Sequence, residues 1–236
     1  MTLDVISTEG RIRENITIHT KYEKETRISF PGFMADDSIL EKLKSTIAGK
    51  LGADTVVTLT GSLPSGVNLD AVKKMLWDIK SRGAKIVIDS KSFKLSDLIE
   101  CSPWLIKPNE EEIAEYTGIK IENVTSAANE AEKIRALGID NVMITLGEKG
   151  AVLASEEGCY IAAAPEIEVK STIGAGDSSI AGFLAATKSN LPYAERLATA
   201  VCYGSAACMN DGTEPPKKSD IETLLKRSAI KPATVK

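Results

Sequence analysis

A chain of 236 residues with 43% hydrophobic content can bury a core as one large domain, or as a domain with a small appendage, which excludes a disordered class. Its 29 basic against 33 acidic residues leave a formal net charge of -4 and no basic footprint, so nucleic acid is not an expected partner. Cys101, Cys159, Cys202 and Cys208 lie far apart without a Cys-x-x-Cys pair and His19 is the only histidine, which argues against a zinc site or a Ser-His triad.

The opening MTLDVISTEG has no charged-then-apolar signal pattern and no apolar run is long enough to span a bilayer, so no membrane partner is expected and the cytoplasm is the default location. Next, Ile12, Ile16 and Ile18 alternate with Arg13, Asn15, Thr17 and His19, as on a half-buried strand. A second strand over 27–30 follows the charged turn Tyr22-Glu23-Lys24-Glu25 and ends at Pro31-Gly32. Residues 1–32 are therefore expected to form a small β-hairpin lid beside an α/β body over 33–236.

Within that body, short β-branched runs alternate with amphipathic segments, the pattern of a mostly parallel sheet covered by helices. The runs predict strands over 55–60, 85–89, 104–107 and 141–146. Between them the spacing predicts helices over 68–81, 92–100, 110–116 and 126–137, with Gly83, Gly118 and Gly138 just beyond three of the ends. A hairpin follows, with strands 151–155 and 159–163 flanking Glu156-Glu157-Gly158. Helices are then expected from about Gly176, Tyr193 and Ser219, the last with Ser219 and Glu222 spaced as a capping box.

In an open α/β sheet, ligands gather at the carboxyl ends of the strands, and those ends are where the polar residues cluster here. After the first comes Gly61-Ser62-Leu63-Pro64-Ser65-Gly66, which by itself says no more than a sharp strand-to-helix bend. After the third comes Lys107-Pro108-Asn109 followed by three glutamates. If Asn109 caps the helix, Asn109 and Glu112 face the same end of the sheet, where a carboxylate can hold Mg²⁺ through water and Lys107 can meet a phosphate. The glutamates equally complement the helix dipole. After the fourth, Thr145-Leu146-Gly147-Glu148-Lys149-Gly150 offers a hydroxyl and two glycines against which a nucleotide can lie. Neither the phosphate loop GxxxxGK[ST] nor a Gly-x-Gly-x-x-Gly fingerprint is present, since Ser179 takes the last position of the nearest match.

The stretch Thr172-Ile173-Gly174-Ala175-Gly176-Asp177-Ser178-Ser179 puts two glycines and a carboxylate where a helix begins. First-turn amides without intrahelical partners can hold a phosphate, and glycine lets backbone and anion approach closely. Asp177 beside developing negative charge suits a group that receives a proton during transfer of a phosphoryl group to a hydroxyl. As an isolated tetrapeptide, Gly-Ala-Gly-Asp serves equally as a tight turn and a favourable helix start.

Taken together, Ser171–Ser178, Thr60–Gly66, Trp104–Asn109 and Thr145–Gly150, in this order and spacing, resemble the PfkB, or ribokinase-like, carbohydrate kinase family, from about Gly10 to the C-terminus. Within it the chain is most similar to the branch that phosphorylates fructose 1-phosphate to fructose 1,6-bisphosphate. The resemblance implies a ribokinase-like α/β fold and an ATP-dependent kinase, with tagatose 6-phosphate and fructose 6-phosphate as the competing acceptors. It implies that Asp177 is the base, with the amides of Gly174, Ala175 and Gly176 as the anion hole. Lys107, Asn109, the Thr145–Gly150 turn (Thr145, Leu146, Gly147, Glu148, Lys149, Gly150), Gly176 and Asp177 would hold ATP, and Asn109 with Glu112 would organise Mg²⁺. Arg13 and Asn15 match a Thr-Arg-x-Asn segment that contacts the sugar phosphate, with Ile12 in place of the threonine. Ser62 is a further candidate for the acceptor's phosphate, and Asp177 touches the acceptor hydroxyl. A homodimer through the lid is a further implication. The family's opening strand with a sugar-gripping aspartate, and its Gly-Gly-x-Gly-x-Asn segment, have no counterpart. Only nine residues precede Gly10, so the chain is expected to begin inside the family's fold, as a fragment or from a misassigned start. A nucleotide-binding chain without turnover is the reading of another class that this leaves open.

Overall fold

The computed structural model describes residues 3–18, 26–227 and 233–235. They fall into two compact units, one of Met1–Val57, Gly61–Ile86 and Ser90–Ser92, the other of Thr58–Thr60, Val87–Asp89 and Phe93–Lys236.

In the first unit, β1 (Asn15–Ile18) pairs antiparallel with β2 (Thr26–Ser29), Ile16 standing opposite Ile28. Side chains two apart on a strand share a face, so Ile18 joins Ile16 and Ile28; all three are exposed, as is Phe30. The charged turn expected at 22–25 lies outside the described residues. A helix α1 (Asp37–Ala48) follows, its start fixed by the Asp36 carboxylate, which accepts from the amides of Ser38 and Ile39. After β3 (Val56–Thr60) comes α2 (Leu69–Ser81), capped by Asn68, whose side chain accepts from the Asp70 amide. Val72, Met75, Leu76 and Ile79 recur at helical spacing and form its buried face. The Gly61–Gly66 bend is tied down on both sides, by Leu63 N donating to Ser92 Oγ at 2.9 Å and by Ala35 N donating to the Ser65 carbonyl at 2.8 Å.

The larger sheet has strand order β3–β4–β5–β6–β7–β8–β9, where β4 is Lys85–Asp89, β5 Leu105–Ile106, β6 Asn141–Thr145, β7 Ala151–Ser155, β8 Gly158–Ala162 and β9 Ala233–Val235, with β5 to β9 wholly in the second unit. Strands β4, β5, β6 and β8 point one way, β7 and β9 the other. Val87, Ile88, Leu105, Ile106, Val142, Met143, Ile144 and the apolar run of β7 are all buried, as continuous hydrophobic strands must be when helices cover both faces. Each large side chain so buried contributes about 1.5–3 kcal/mol. The helices are α3 (Leu95–Cys101), α4 (Glu110–Thr117), α5 (Val124–Ala136), α6 (Ala175–Lys188), α7 (Tyr193–Cys208) and α8 (Lys218–Arg227). Trp104 at the head of β5 meets Phe183 of α6 with ring centroids 5.8 Å apart, which locks α6 onto the centre of the sheet.

The α/β class, the helix-covered sheet and the N-terminal hairpin agree with the sequence expectations; several boundaries move for identifiable reasons. Strand β5 keeps only two of four expected residues, because Pro103 and Pro108 bracket it and proline lacks the N–H a ladder needs. Helix α3 starts at Leu95 rather than Ser92, whose hydroxyl is engaged by Leu63 N, and Asp97 accepts from the Lys94 amide instead. Ser219 sits inside α8 rather than capping it, the helix beginning at Lys218 with Ile221 N donating to the Lys217 carbonyl. Neither α1 nor β9 has a counterpart in the sequence reading. Among the described residues, no helix is long and apolar enough to cross a membrane.

Candidate active site

Strand ends and helix starts converge in the second unit. Asn109 and Glu112 form a reciprocal capping box at the start of α4: Glu112 N donates to Asn109 Oδ1 at 2.9 Å and Asn109 N to Glu112 Oε2 at 3.0 Å. Next to it, Thr145 N donates to the Pro108 carbonyl at 3.0 Å and Thr145 bridges Asn109 in parallel pairing, so the ends of β5 and β6 form one ledge. The turn beyond is closed by Leu146 N to the Gly150 carbonyl at 2.8 Å and Gly150 N to the Gly147 carbonyl at 3.0 Å.

Helix α6 begins opposite that ledge. Gly174 is its N-cap, at φ 81°, with no side-chain cap, and Ser178 N donates back to the Gly174 carbonyl at 2.9 Å. Ala175 N reaches the Thr172 carbonyl only at 3.4 Å, and the amides of Gly176 and Asp177 have no hydrogen-bond partner among the described residues. Open first-turn amides at the positive end of the dipole make a place for an anion. Asp177, in the first turn, is exposed.

Beneath this turn lies a charge pair that sequence reasoning did not single out. Lys107, only 6% exposed, places Nζ 3.3 Å from Oδ2 of Asp89, the last residue of β4. A Cβ built on Gly176 would stand 3.0 Å from Lys107 Nζ and 4.0 Å from that same carboxylate oxygen, so the ammonium lies directly under the start of α6. Burial pushes the Asp89 carboxyl above the ordinary carboxylate range; the Lys107 ammonium opposes the rise, and Glu112 and Asp177 add to it. On α4, one turn beyond Glu112, burial and the neighbouring carboxylates Glu112 and Asp89 push the Tyr116 hydroxyl up to about 12. Because the folded chain holds the Asp89 proton more tightly than the unfolded one, the stability that proton supplies is full below pH 3.8 and is lost as pH rises through the shifted value.

A cavity of about 1110 Å³ runs from the ledge to α7. Its lining combines Asn109, Thr145, the Gly147–Ala151 turn and the Ala175–Gly176 start of α6 with the apolar Ile167, Val169 and Val201. That size and mixed polar and apolar lining suit a nucleoside polyphosphate. Leu146, expected among the nucleotide contacts, is 2% exposed and stands outside the lining, so only its backbone serves the turn. Lys149 pairs with Glu110 at 3.2 Å across the mouth. Of the expected site residues, Lys107, Asn109, Glu112, Thr145–Gly150 and Gly174–Asp177 all belong to this unit, whereas Arg13, Asn15 and Ser62 belong to the first, where all three are exposed. For a divalent cation, no group of three or more His, Cys, Asp and Glu among the described residues forms a direct shell. The Asn109 and Glu112 side chains that cap the start of α4 fit a cation held through water and phosphate oxygens.

The model of the pfkB family carbohydrate kinases matches residues 3–220. The chain belongs to that family. It is 32% identical over 212 residues to the 1-phosphofructokinase of Escherichia coli (strain K12), a match that covers 89% of this chain and 68% of the relative. The kinase fold recurs in the crystal structure of phosphofructokinase-2 from Escherichia coli in complex with substrates and products, at a TM-score of 0.81 and 23% identity, over 90% of this chain and 69% of that one. It recurs also in Arabidopsis thaliana ribokinase complexed with ribose and ATP, at a TM-score of 0.69 and 21% identity, over 91% of this chain and 69% of that one. The membership expected from the four motifs, and the ribokinase-like fold, both stand. What the motifs did not flag is Asp89, although a strand ending in a carboxylate at the ligand edge of the sheet was a readable signal.

Proposed function

We propose that this kinase transfers the γ-phosphoryl group of ATP to a ketose phosphate, converting fructose 1-phosphate to fructose 1,6-bisphosphate. The observation that carries the reading is the start of α6, where the amides of Gly176 and Asp177 are open, the Lys107 ammonium lies beneath Gly176, and Ala175 and Gly176 line a nucleotide-sized cavity. The sugar's free primary hydroxyl attacks the γ-phosphorus, its proton passes to the Asp177 carboxylate, and the bond to the bridging oxygen breaks to leave ADP. A carboxylate is a weak base toward an alcohol, so the proton moves late, and most of the acceleration comes from positioning and from stabilised phosphoryl charge. Lys107 and the first-turn amides of α6 supply that stabilisation, and the Thr145–Gly150 turn holds the nucleotide against backbone. Mg²⁺, held through water by Asn109 and Glu112, would neutralise charge on the β- and γ-phosphates. By residue type, Arg13, Asn15 and Ser62 suit the phosphate that the acceptor already carries.

The preference for fructose 1-phosphate is supported by the name that the 32%-identical relative bears. Assay of ADP release from Mg·ATP with fructose 1-phosphate, fructose 6-phosphate and tagatose 6-phosphate in parallel tests it. The expected result is a kcat/KM for fructose 1-phosphate at least about tenfold above the others, a difference of 1.4 kcal/mol in transition-state binding. Preference for either 6-phosphate would overturn the acceptor assignment, and ATP binding without ADP release from any of the three would overturn the kinase reading. Association of two copies through the exposed face of β1 and β2 belongs to the same proposal. Sedimentation should show wild type heavier than Ile16→Lys; equal sedimentation would remove the dimer.

A further inference from the structure

We propose that Asp89 is a positioning residue of the phosphoryl-transfer site, holding the Lys107 ammonium under the first turn of α6; the inference rests on the kinase reading above. A lysine reaches its target through four rotatable carbons, and left alone its ammonium samples many positions, most of them hydrated. Here three constraints remove that freedom. The strand position buries the stem, Lys107 following the fully buried Leu105 and Ile106. Asp89, on the neighbouring strand, takes the ammonium at 3.3 Å while itself 18% exposed. Gly176 leaves just enough room, since a methyl group there would crowd Nζ at 3.0 Å.

The pair is also placed to be shared. Its oxygen and nitrogen both lie within 4.0 Å of a Cβ built on Gly176, in the first turn of α6, where Ala175 and Gly176 line the cavity. A nucleotide phosphate arriving at those amides meets an ammonium already desolvated and aimed, so the cost of fixing it has been met by the fold rather than at the moment of reaction. Asp89 touches neither substrate nor reacting atoms in this arrangement; it acts through Lys107.

That dependence predicts non-additivity. Asp89→Asn should lower kcat at least tenfold while KM for Mg·ATP stays within threefold, and Lys107→Met should lower kcat further. In the Lys107→Met background the added Asp89→Asn change should cost less than twofold. An equal loss from Asp89→Asn in both backgrounds, or no loss in the single variant, would overturn the proposal. Asp89→Asn strands a buried ammonium and can fail to fold; the comparison of Lys107→Met with the double variant, both free of that ammonium, then decides by the same criterion. A second measurement needs no turnover. Acetylation of Lys107 by a succinimidyl ester, followed by mass spectrometry of the peptide, should run at least tenfold faster in Asp89→Asn than in wild type at equal thermal stability, and equal rates would overturn the positioning role. A wild-type chain that releases no ADP with any ketose phosphate defeats the kinase reading alone, and the labelling rates still decide whether Asp89 holds Lys107.

Discussion

Asp177→Ala is expected to lower turnover about a thousandfold or more while ATP affinity stays within about threefold, because removal of a general base costs typically 10²–10⁴ in rate and this side chain is not needed to hold the nucleotide. In the proposed site phosphate would meet the backbone amides of the α6 turn and Lys107, none of which the substitution removes, and Asp177 is not among the residues that line the cavity. Asp177 is exposed in the first turn of that helix, so truncation leaves no buried hole and forfeits only a few tenths of a kcal/mol of dipole stabilisation. Steady-state rates with Mg·ATP and ketose phosphate, together with calorimetric ATP titration, check the prediction. Asp177→Asn should behave like the alanine variant, since it keeps the shape and loses the base. A variant that retained the wild-type rate would end the assignment of Asp177 as proton acceptor.

Gly150→Ala should destabilise the fold by about 3 kcal/mol or more, the sum of backbone strain and overpacking that each cost about 1–3 kcal/mol. Gly150 has φ 100° and ψ -133°, a conformation closed to residues with a Cβ. The added atom would stand 1.9 Å from the Ala162 carbonyl oxygen and 2.8 Å from Ala163 Cα and Ala164 N. All three are backbone atoms at the exit of β8, so no rotamer change relieves the clash; the turn or the strand end has to move. For a chain of this size the loss corresponds to a fall in Tm of about 6–12 °C. The same turn lines the cavity, so ATP affinity should fall with it. Gly147→Ala makes the control, because Gly147 has φ 58° with nothing within 4 Å of a built Cβ, and should cost only about 1–2 kcal/mol. Thermal unfolding of the two variants side by side measures the difference, and equal midpoints would show that the β8 exit yields freely.

Much of the architecture was legible before any coordinates because its signals are local. The run KIVID is a strand over the expected five residues, and AVLAS and its partner form the expected hairpin with the second strand displaced by one residue. Asn109 caps α4 as its spacing with Glu112 foretold, since a capping box is a contact between residues three apart. Strand β5 was overextended because its length is set by lateral pairing with β4 and β6, between two prolines, rather than by its own apolar content. Helix α1 escaped notice although Asp36 caps it, for Leu40 is its one buried residue and the apolar stripe that announces a helix is correspondingly thin.

The candidate site divides along the same line. Gly174, Gly176 and Asp177 are adjacent in the chain, so the sequence by itself determined that a helix opens with free amides beside a carboxylate, and the four motifs together determined the kinase family. Which groups surround that opening was decided by tertiary structure. Asp89 ends β4 and Lys107 follows β5, and they meet only because the two strands pair in parallel and end together. Lys107 follows the buried Leu105 and Ile106, and its ammonium is covered by the first turn of α6, a neighbour remote in sequence. Hydrophobic period and turn chemistry report what a segment does with its immediate neighbours; an ion pair between strands, and the cavity that gives it meaning, depend on strand order and burial, for which a single chain read in order holds no periodic signal.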